Sequence, residues 1–158
     1  NNRWFLFGAA NMDKVILNFA LDRIDGFEIK PELKYYESPV DIEEQFEDIV
    51  GVTLPKEGKI KTVVFWISDY DYNYIITKPI HGSQKFINNR EEEISYREKY
   101  TLPEKGHLVK LECIVNYELK RELISYFDKV IVLEPEELRD ELFATIKRMH
   151  EKYSSVRK

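Results

Sequence analysis

The sequence predicts an α+β chain in two parts: strands of an incomplete β-barrel, then a ferredoxin-like α/β sandwich with a C-terminal helix. Three observations carry this expectation. Aromatic and β-branched residues crowd into short runs near the N-terminal end, as in Trp4-Phe5-Leu6-Phe7 and Val15-Ile16-Leu17-Asn18-Phe19. From residue 60 onward, apolar runs of strand length alternate with stretches of helical periodicity. Between the two lies Pro55-Lys56-Glu57-Gly58-Lys59, a linker by composition. The expected organisation is therefore 1–37 for the barrel strands, 38–59 for a connecting helix and linker, and 60–158 for the sandwich.

Taken in order, Trp4 to Gly8 reads as a strand, Asn11 to Lys14 as a turn and Val15 to Leu21 as a second strand. Asp22 to Ile29 continues as a third, with Gly26 a bend. Three short strands do not close a barrel, so further strands are expected upstream of this chain. Ser38 is a candidate helix cap, Pro39 suits the first helical position and Asp41 the first turn. Ile42, Phe46, Ile49 and Val50 supply an apolar stripe, and Gly51 a stop. In the second part, Lys61 to Ile67 is a strand and Asp69 to Ile76 a short helix with Tyr70, Tyr74 and Ile75 inward. Ser83 to Ile87 and Ile94 to Tyr100 read as strands around a turn at Asn88-Asn89-Arg90. Leu108 to Val115 is a strand, and Asn116 caps a helix with Leu119, Leu123, Ile124 and Phe127 on one face. Val130 to Leu133 is a strand, and Pro135 opens a last helix with Leu138, Leu142, Ile146, Met149 and Tyr153 on its apolar side. That side suits either the protein's own sheet or a second copy.

Composition narrows the function. The 158 residues are 43% hydrophobic and carry ten Tyr and nine Phe, enough for a packed core. No apolar run reaches membrane-spanning length and no signal peptide opens the chain. The single cysteine, Cys113, sits among apolar neighbours and favours a reducing compartment, the cytoplasm. A net charge of −5 argues against coating nucleic acid through bulk charge. The charge is uneven, however: residues 56–90 carry six Lys/Arg against three acids, whereas 39–55 carry five acids and no base. His81, His107 and His150 are far apart and no Cys-x-x-Cys or His-x-x-x-His spacing occurs, so no metal is expected. With no phosphate loop or dinucleotide fingerprint either, no cofactor is expected.

Trp4-Phe5-Leu6, followed by Phe19-Ala20-Leu21-Asp22-Arg23-Ile24, resembles the WYL domain, a family named for a Trp-Tyr-Leu triplet. Pro79-Ile80-His81-Gly82-Ser83-Gln84, Asn116-Tyr117-Glu118-Leu119 and Val132 to Arg139 resemble the C-terminal extension that follows WYL domains in bacterial transcriptional regulators. The resemblance implies an SH3/Sm-like barrel followed by the extension, with a helix-turn-helix domain that binds DNA lying upstream of this chain. It further implies a homodimeric, non-enzymatic module that senses a ligand, in several relatives single-stranded nucleic acid. Phe5 stands where the family has Tyr, and Ala20 where it has the first Arg of its Phe-Arg-Leu-Asp-Arg-Ile stretch.

Arg23 is the leading binding candidate, for single-stranded nucleic acid or a nucleotide-like anion. Its guanidinium is a planar fork suited to phosphate, and an ion pair with Asp22, Asp25 or an acid elsewhere in the chain is the competing role. Trp4 and Phe5 can stack bases, but neighbours on a strand point to opposite faces. Trp4 is expected in the core, leaving Arg3 and Phe5 together at an exposed site. His81, Ser83 and Gln84 are secondary candidates. His81 lies two residues from Ser83, but no nucleophile elbow surrounds it, and a polar turn that fixes entry into the sheet is the expected role.

Overall fold

A computed structural model describes residues 3–9, 16–34, 41–55 and 58–156. The chain divides into two compact units, Asn1–Gln45 and Phe46–Lys158. It is α+β, with one antiparallel sheet in each unit.

In the first unit, β1 (Phe5–Ala9) pairs with β2 (Ile16–Ala20), Phe5 opposite Ala20 and Ala9 opposite Ile16. Beyond the ladder, the Leu21 N–H donates to the Trp4 carbonyl at 3.0 Å. This register places Trp4, Leu6 and Gly8 on one face with Leu17, Phe19 and Leu21. The five side chains of that face are exposed. The third strand expected over Asp22–Ile29 does not form. Leu21–Arg23 is instead one turn of 3-10 helix, and Ile24 to Lys30 has no regular structure. Asp22, Asp25 and Gly26 are poor strand formers, and they interrupt the run. No barrel closes among the described residues.

The helix α1 (Ile42–Glu47) spans the division between the units. Asp41 is its cap, with Oδ1 accepting from the Glu43 and Glu44 N–H groups at 2.9 and 3.3 Å. The expected Ser38 cap and Pro39 lie outside the described residues. The helix stops at Glu47, short of the expected stripe. Ile49 is buried and forms a parallel bridge to Ile114, and Gly51 turns the chain at φ +80°.

The second unit runs β3 (Ile60–Ile67), α2 (Asp69–Thr77), β4 (Lys85–Phe86), α3 (Arg90–Lys99), β5 (His107–Ile114), α4 (Tyr117–Ser125), β6 (Val130–Glu134) and α5 (Glu136–Val156). Its sheet has the order β4-β5-β3-β6, every neighbour antiparallel. The central strand β3 is buried from Val63 through Ile67 without alternation, because both faces of the sheet are covered. On one face Val63, Phe65, Ile67, Leu111 and Val132 pack with Ile75 of α2, Leu119 and Leu123 of α4, and Leu138 and Leu142 of α5. On the other, Val64, Trp66, Leu108 and Leu133 pack with Ile87, Tyr96, Tyr100 and Leu102. Gly106 touches the Trp66 ring so closely that a Cβ would sit 2.4 Å from Nε1.

Two expectations need correction here. Ile94 to Tyr100 is helical, not a strand: α3 starts at Asn89, whose side chain accepts from the Glu91 and Glu92 N–H groups at 2.9 and 3.0 Å. Three glutamates in its first turn and Arg97 and Lys99 in its last suit the helix dipole. In α2, Ile75 points inward but Tyr70 and Tyr74 are exposed. Tyr72, three residues before Ile75 and so on its face, is the half-buried ring and stacks on His107 at 3.7 Å.

Candidate functional site

The N-terminal candidates gather at one end of the hairpin. Leu21 and Trp4 are joined through the backbone, and Arg3 reaches across so that Nε lies 3.5 Å from Asp22 Oδ2. Asp22, one competing partner of Arg23, is therefore engaged by Arg3. Arg23 is exposed and forms no ion pair among the described residues. Trp4 is 81% exposed and Phe5 is half-buried, the reverse of the expected order. Alternation does put them on opposite faces. It does not say which face is covered, and in this hairpin Trp4's face is the open one. The structure thus brings Arg3 and Trp4 together with the Leu21–Arg23 turn, through the Leu21–Trp4 bond and the Arg3–Asp22 pair, and leaves Arg23 exposed.

The second cluster forms around the turn His81–Gln84, closed by the Gln84 N–H donating to the His81 carbonyl at 3.0 Å. His81 is 8% exposed. Its Nε2 donates to the Glu47 carbonyl at 2.8 Å, which leaves Nδ1 to accept from the Ser83 N–H at 3.2 Å. The Ser83 Oγ lies 2.7 Å from that Nδ1 and 2.9 Å from the Glu112 carbonyl, and it accepts from the Glu112 N–H at 2.8 Å. One hydroxyl proton thus serves two acceptors. The pairing of Lys85 with Lys110 puts Ser83 in register with Glu112, so the hydroxyl does there what a backbone N–H and C=O do in the ladder. Gln84 completes the turn, accepting from the Ile80 N–H at 3.0 Å and donating to the Ile75 carbonyl at 2.8 Å. His81 is oriented by a backbone carbonyl rather than by a carboxylate, and Ser83 is held between backbone groups. The arrangement fastens the edge strand and the end of α1 to β5.

The sequence pointed to Asn116 only as a cap, a role it has: Oδ1 accepts from the Leu119 N–H at 2.9 Å. Its Nδ2 also donates to the carbonyls of Val50 and Thr53, at 2.8 and 3.1 Å. No local sequence signal announces bonds to carbonyls more than sixty residues away.

A shallow cleft of about 390 Å³ is lined by Thr62, Lys99, Tyr100, Glu134, Pro135, Glu136 and Arg139. Its charges are already matched. Lys99 Nζ is 2.7 Å from Glu134 Oε1 and Arg139 is 2.8 Å from Glu136. The Lys99 hydrogen bond holds the Glu134 carboxyl below the usual carboxylate range, and burial pushes the neighbouring Tyr96 hydroxyl up to about 12. Burial likewise pushes the Cys113 thiol up to about 11, so it is a core residue and a poor nucleophile. Among the described residues no group of three or more His, Cys, Asp or Glu is placed to hold a metal, and no helix is long and apolar enough to cross a membrane.

No curated protein matches the chain significantly. The family model of the WCX domain matches residues 62–150, more than half of the chain and nearly the whole sheet of the second unit. The chain belongs to the WCX family, the C-terminal extension associated with WYL domains, a family that is regulatory rather than catalytic.

Proposed function

We propose that this chain is the ligand-sensing part of a bacterial WYL-type transcriptional regulator, and that it recognises single-stranded nucleic acid or a nucleotide-like anion at the exposed end of the hairpin. The observation that carries this reading is an exposed Trp4 bonded through its backbone to the turn that holds Arg23, itself exposed and without an ion-pair partner among the described residues. A free guanidinium takes a backbone phosphate and an exposed indole stacks a base, the two ingredients of sequence-tolerant strand binding. Arg3 adds a second cation that Asp22 partly neutralises. The ligand state is read out by a DNA-binding helix-turn-helix domain upstream.

We assign residues 1–37 to the WYL barrel, SH3/Sm-like in plan, 38–59 to the connection, and 60–158 to a ferredoxin-like extension. The order β4-β5-β3-β6 with antiparallel neighbours supports that last assignment, α3 being inserted where the plan has a hairpin turn.

The test is fluorescence anisotropy of a labelled single-stranded oligonucleotide titrated with the chain at low and moderate salt, beside Arg23→Ala and Trp4→Ala. Binding that weakens with salt, and is lost in both variants, supports the reading, because phosphate contacts release counterions. A folded chain that binds at neither salt overturns it in favour of a structural module that joins two copies and has no ligand of its own.

A further inference from the structure

The cleft between the end of α3 and the start of α5 holds two anions and two cations, and their anchoring is unequal. The side chains of Glu134 and Arg139 are 30% and 33% exposed, whereas their partners Lys99 and Glu136 are 60% and 77% exposed. Glu134 has a second bond, from the Tyr96 hydroxyl at 3.2 Å, so it keeps its place if Lys99 swings away. The Lys99 and Tyr96 bonds hold its carboxyl below the usual range, so at neutral pH it is an anion. Arg139 lies over the Tyr100 ring, Cζ 5.9 Å from its centre. That ring is fixed in turn by its hydroxyl, which donates to the Leu133 carbonyl at 3.3 Å. Lys99 also approaches the ring, to 5.0 Å, but on a long stem that lies largely in water. Exposed pairs of this kind are weak and exchange partners readily. Each pair therefore has a fixed half, Glu134 or Arg139, and a movable half, Lys99 or Glu136.

We infer that this cleft is a second ligand site, for a small zwitterion with an apolar body: an α-amino acid with an aromatic or branched aliphatic side chain. Its ammonium replaces Lys99 at Glu134, and its carboxylate replaces Glu136 at Arg139. Its side chain lies against the rings of Tyr100 and Pro135, the apolar part of the lining. The charge balance selects this class. The four charged side chains of the lining, Lys99, Arg139, Glu134 and Glu136, sum to zero, so the cleft has no net charge to draw in a simple anion or cation. A ligand with both charges gains both fixed partners at once. One with a single charge gains one partner and brings an unmatched charge to a neutral site. The cleft volume of about 390 Å³ accommodates a molecule of this size. This inference is independent of any ligand at the hairpin.

Two-dimensional proton–nitrogen NMR of the whole chain tests it, with L-phenylalanine and L-leucine as probes up to about 20 mM. Hydrocinnamate and phenethylammonium carry the phenylalanine ring with one charge each. The expected result is saturable shifts at the amides of residues 96–100 and 133–140 with an amino acid, and binding at least about tenfold weaker for the two analogues. Glu134→Gln, which keeps an acceptor for Tyr96, and Arg139→Gln should each abolish saturation, the spectrum itself showing that each is folded. Glu136→Gln removes the competitor for Arg139 and should bind L-phenylalanine severalfold more tightly, a gain that a merely structural ion pair does not give. A folded wild type that saturates with neither amino acid overturns the inference. So do analogues that bind as tightly as L-phenylalanine, binding that survives both Glu134→Gln and Arg139→Gln, or weaker binding by Glu136→Gln.

Discussion

The two units of this chain put apolar residues to opposite uses. In the second, Val63, Val64, Phe65 and Ile67 are fully buried and every strand of the sheet is packed on at least one side. In the first, Trp4, Leu6, Leu17, Phe19 and Leu21 make one side of a two-stranded sheet and all five are exposed. Aromatic and aliphatic residues supply both. What differs is the number of layers: two strands offer one another backbone hydrogen bonds but no cover for a face. Stability therefore resides in the WCX sheet, whereas the hairpin offers surface for contact.

The largest expected effect separates the two directly. Phe65→Ala in the sheet should cost about 3–5 kcal/mol, the usual range for a buried phenylalanine whose cavity cannot collapse. Phe19→Ala on the open hairpin should stay within about 0.5 kcal/mol. Urea denaturation followed by far-ultraviolet circular dichroism measures both. Equal losses would mean that the hairpin face is covered in solution.

Next comes the turn at His81. Ser83→Ala leaves the Glu112 N–H without its partner and should cost about 1–3 kcal/mol, and His81→Ala should cost a similar amount. The pair shares one network, so the double variant should cost less than the sum of the two. Additive losses would mean that His81 and Ser83 act separately and that the short contact between them adds nothing.

Much of the second unit was legible in the sequence because its signals agree with one another. β3 is an unbroken apolar run after a linker, and β5, α4 and α5 each combine an apolar period with a cap or a breaker. The fold was misread where tertiary packing outvotes local pattern. In α3, Ile94, Tyr96 and Tyr100 look like strand alternation, and only Asn89 followed by three glutamates discloses a capped helix. In α2, the tyrosines at alternate positions gave no phase, and Ile75 sets it. The hairpin's faces were legible as a pair, but which face would lie open is a property of neighbours and not of the strand. At the candidate sites, the His81–Gln84 motif stood out as a polar turn. Its partners, the carbonyls of Glu47 and Ile75 and both backbone groups of Glu112, come from three other segments and leave no mark on the local sequence.

Cys113 sharpens the comparison through kinetics rather than equilibrium. The thiol is fully buried on β5, in the core cluster with Leu111, Leu119 and Leu123, and burial pushes it up to about 11, so at pH 8 a thiol reagent should react only as fast as the sheet opens. Labelling with a disulfide reagent, read by absorbance, should be far slower than for free cysteine and should accelerate sharply in Phe65→Ala. Rapid labelling of the native wild type would place the opening of this sheet much nearer to that of the hairpin than its burial implies.

The smallest effect concerns the ion pair at the rim of the sheet. Lys99 holds the Glu134 carboxyl below its ordinary value, and Tyr96 adds a hydroxyl donor at 3.2 Å. A carboxylate whose folded pKa is depressed contributes stability that is complete above its unfolded pKa and is lost as pH falls through the lower folded value. Acid should therefore weaken the second unit through this site, in the window below the ordinary glutamate range. Glu134→Gln removes the titration but keeps an acceptor for Tyr96, so its urea midpoint should fall less than that of the wild type between pH 6 and pH 3. The contribution is small because Lys99 is largely exposed and water screens the pair. If the two proteins lose stability in parallel, the acid sensitivity of the sheet lies in other carboxylates and the pair at the rim is decoration on a fold held by its buried strands.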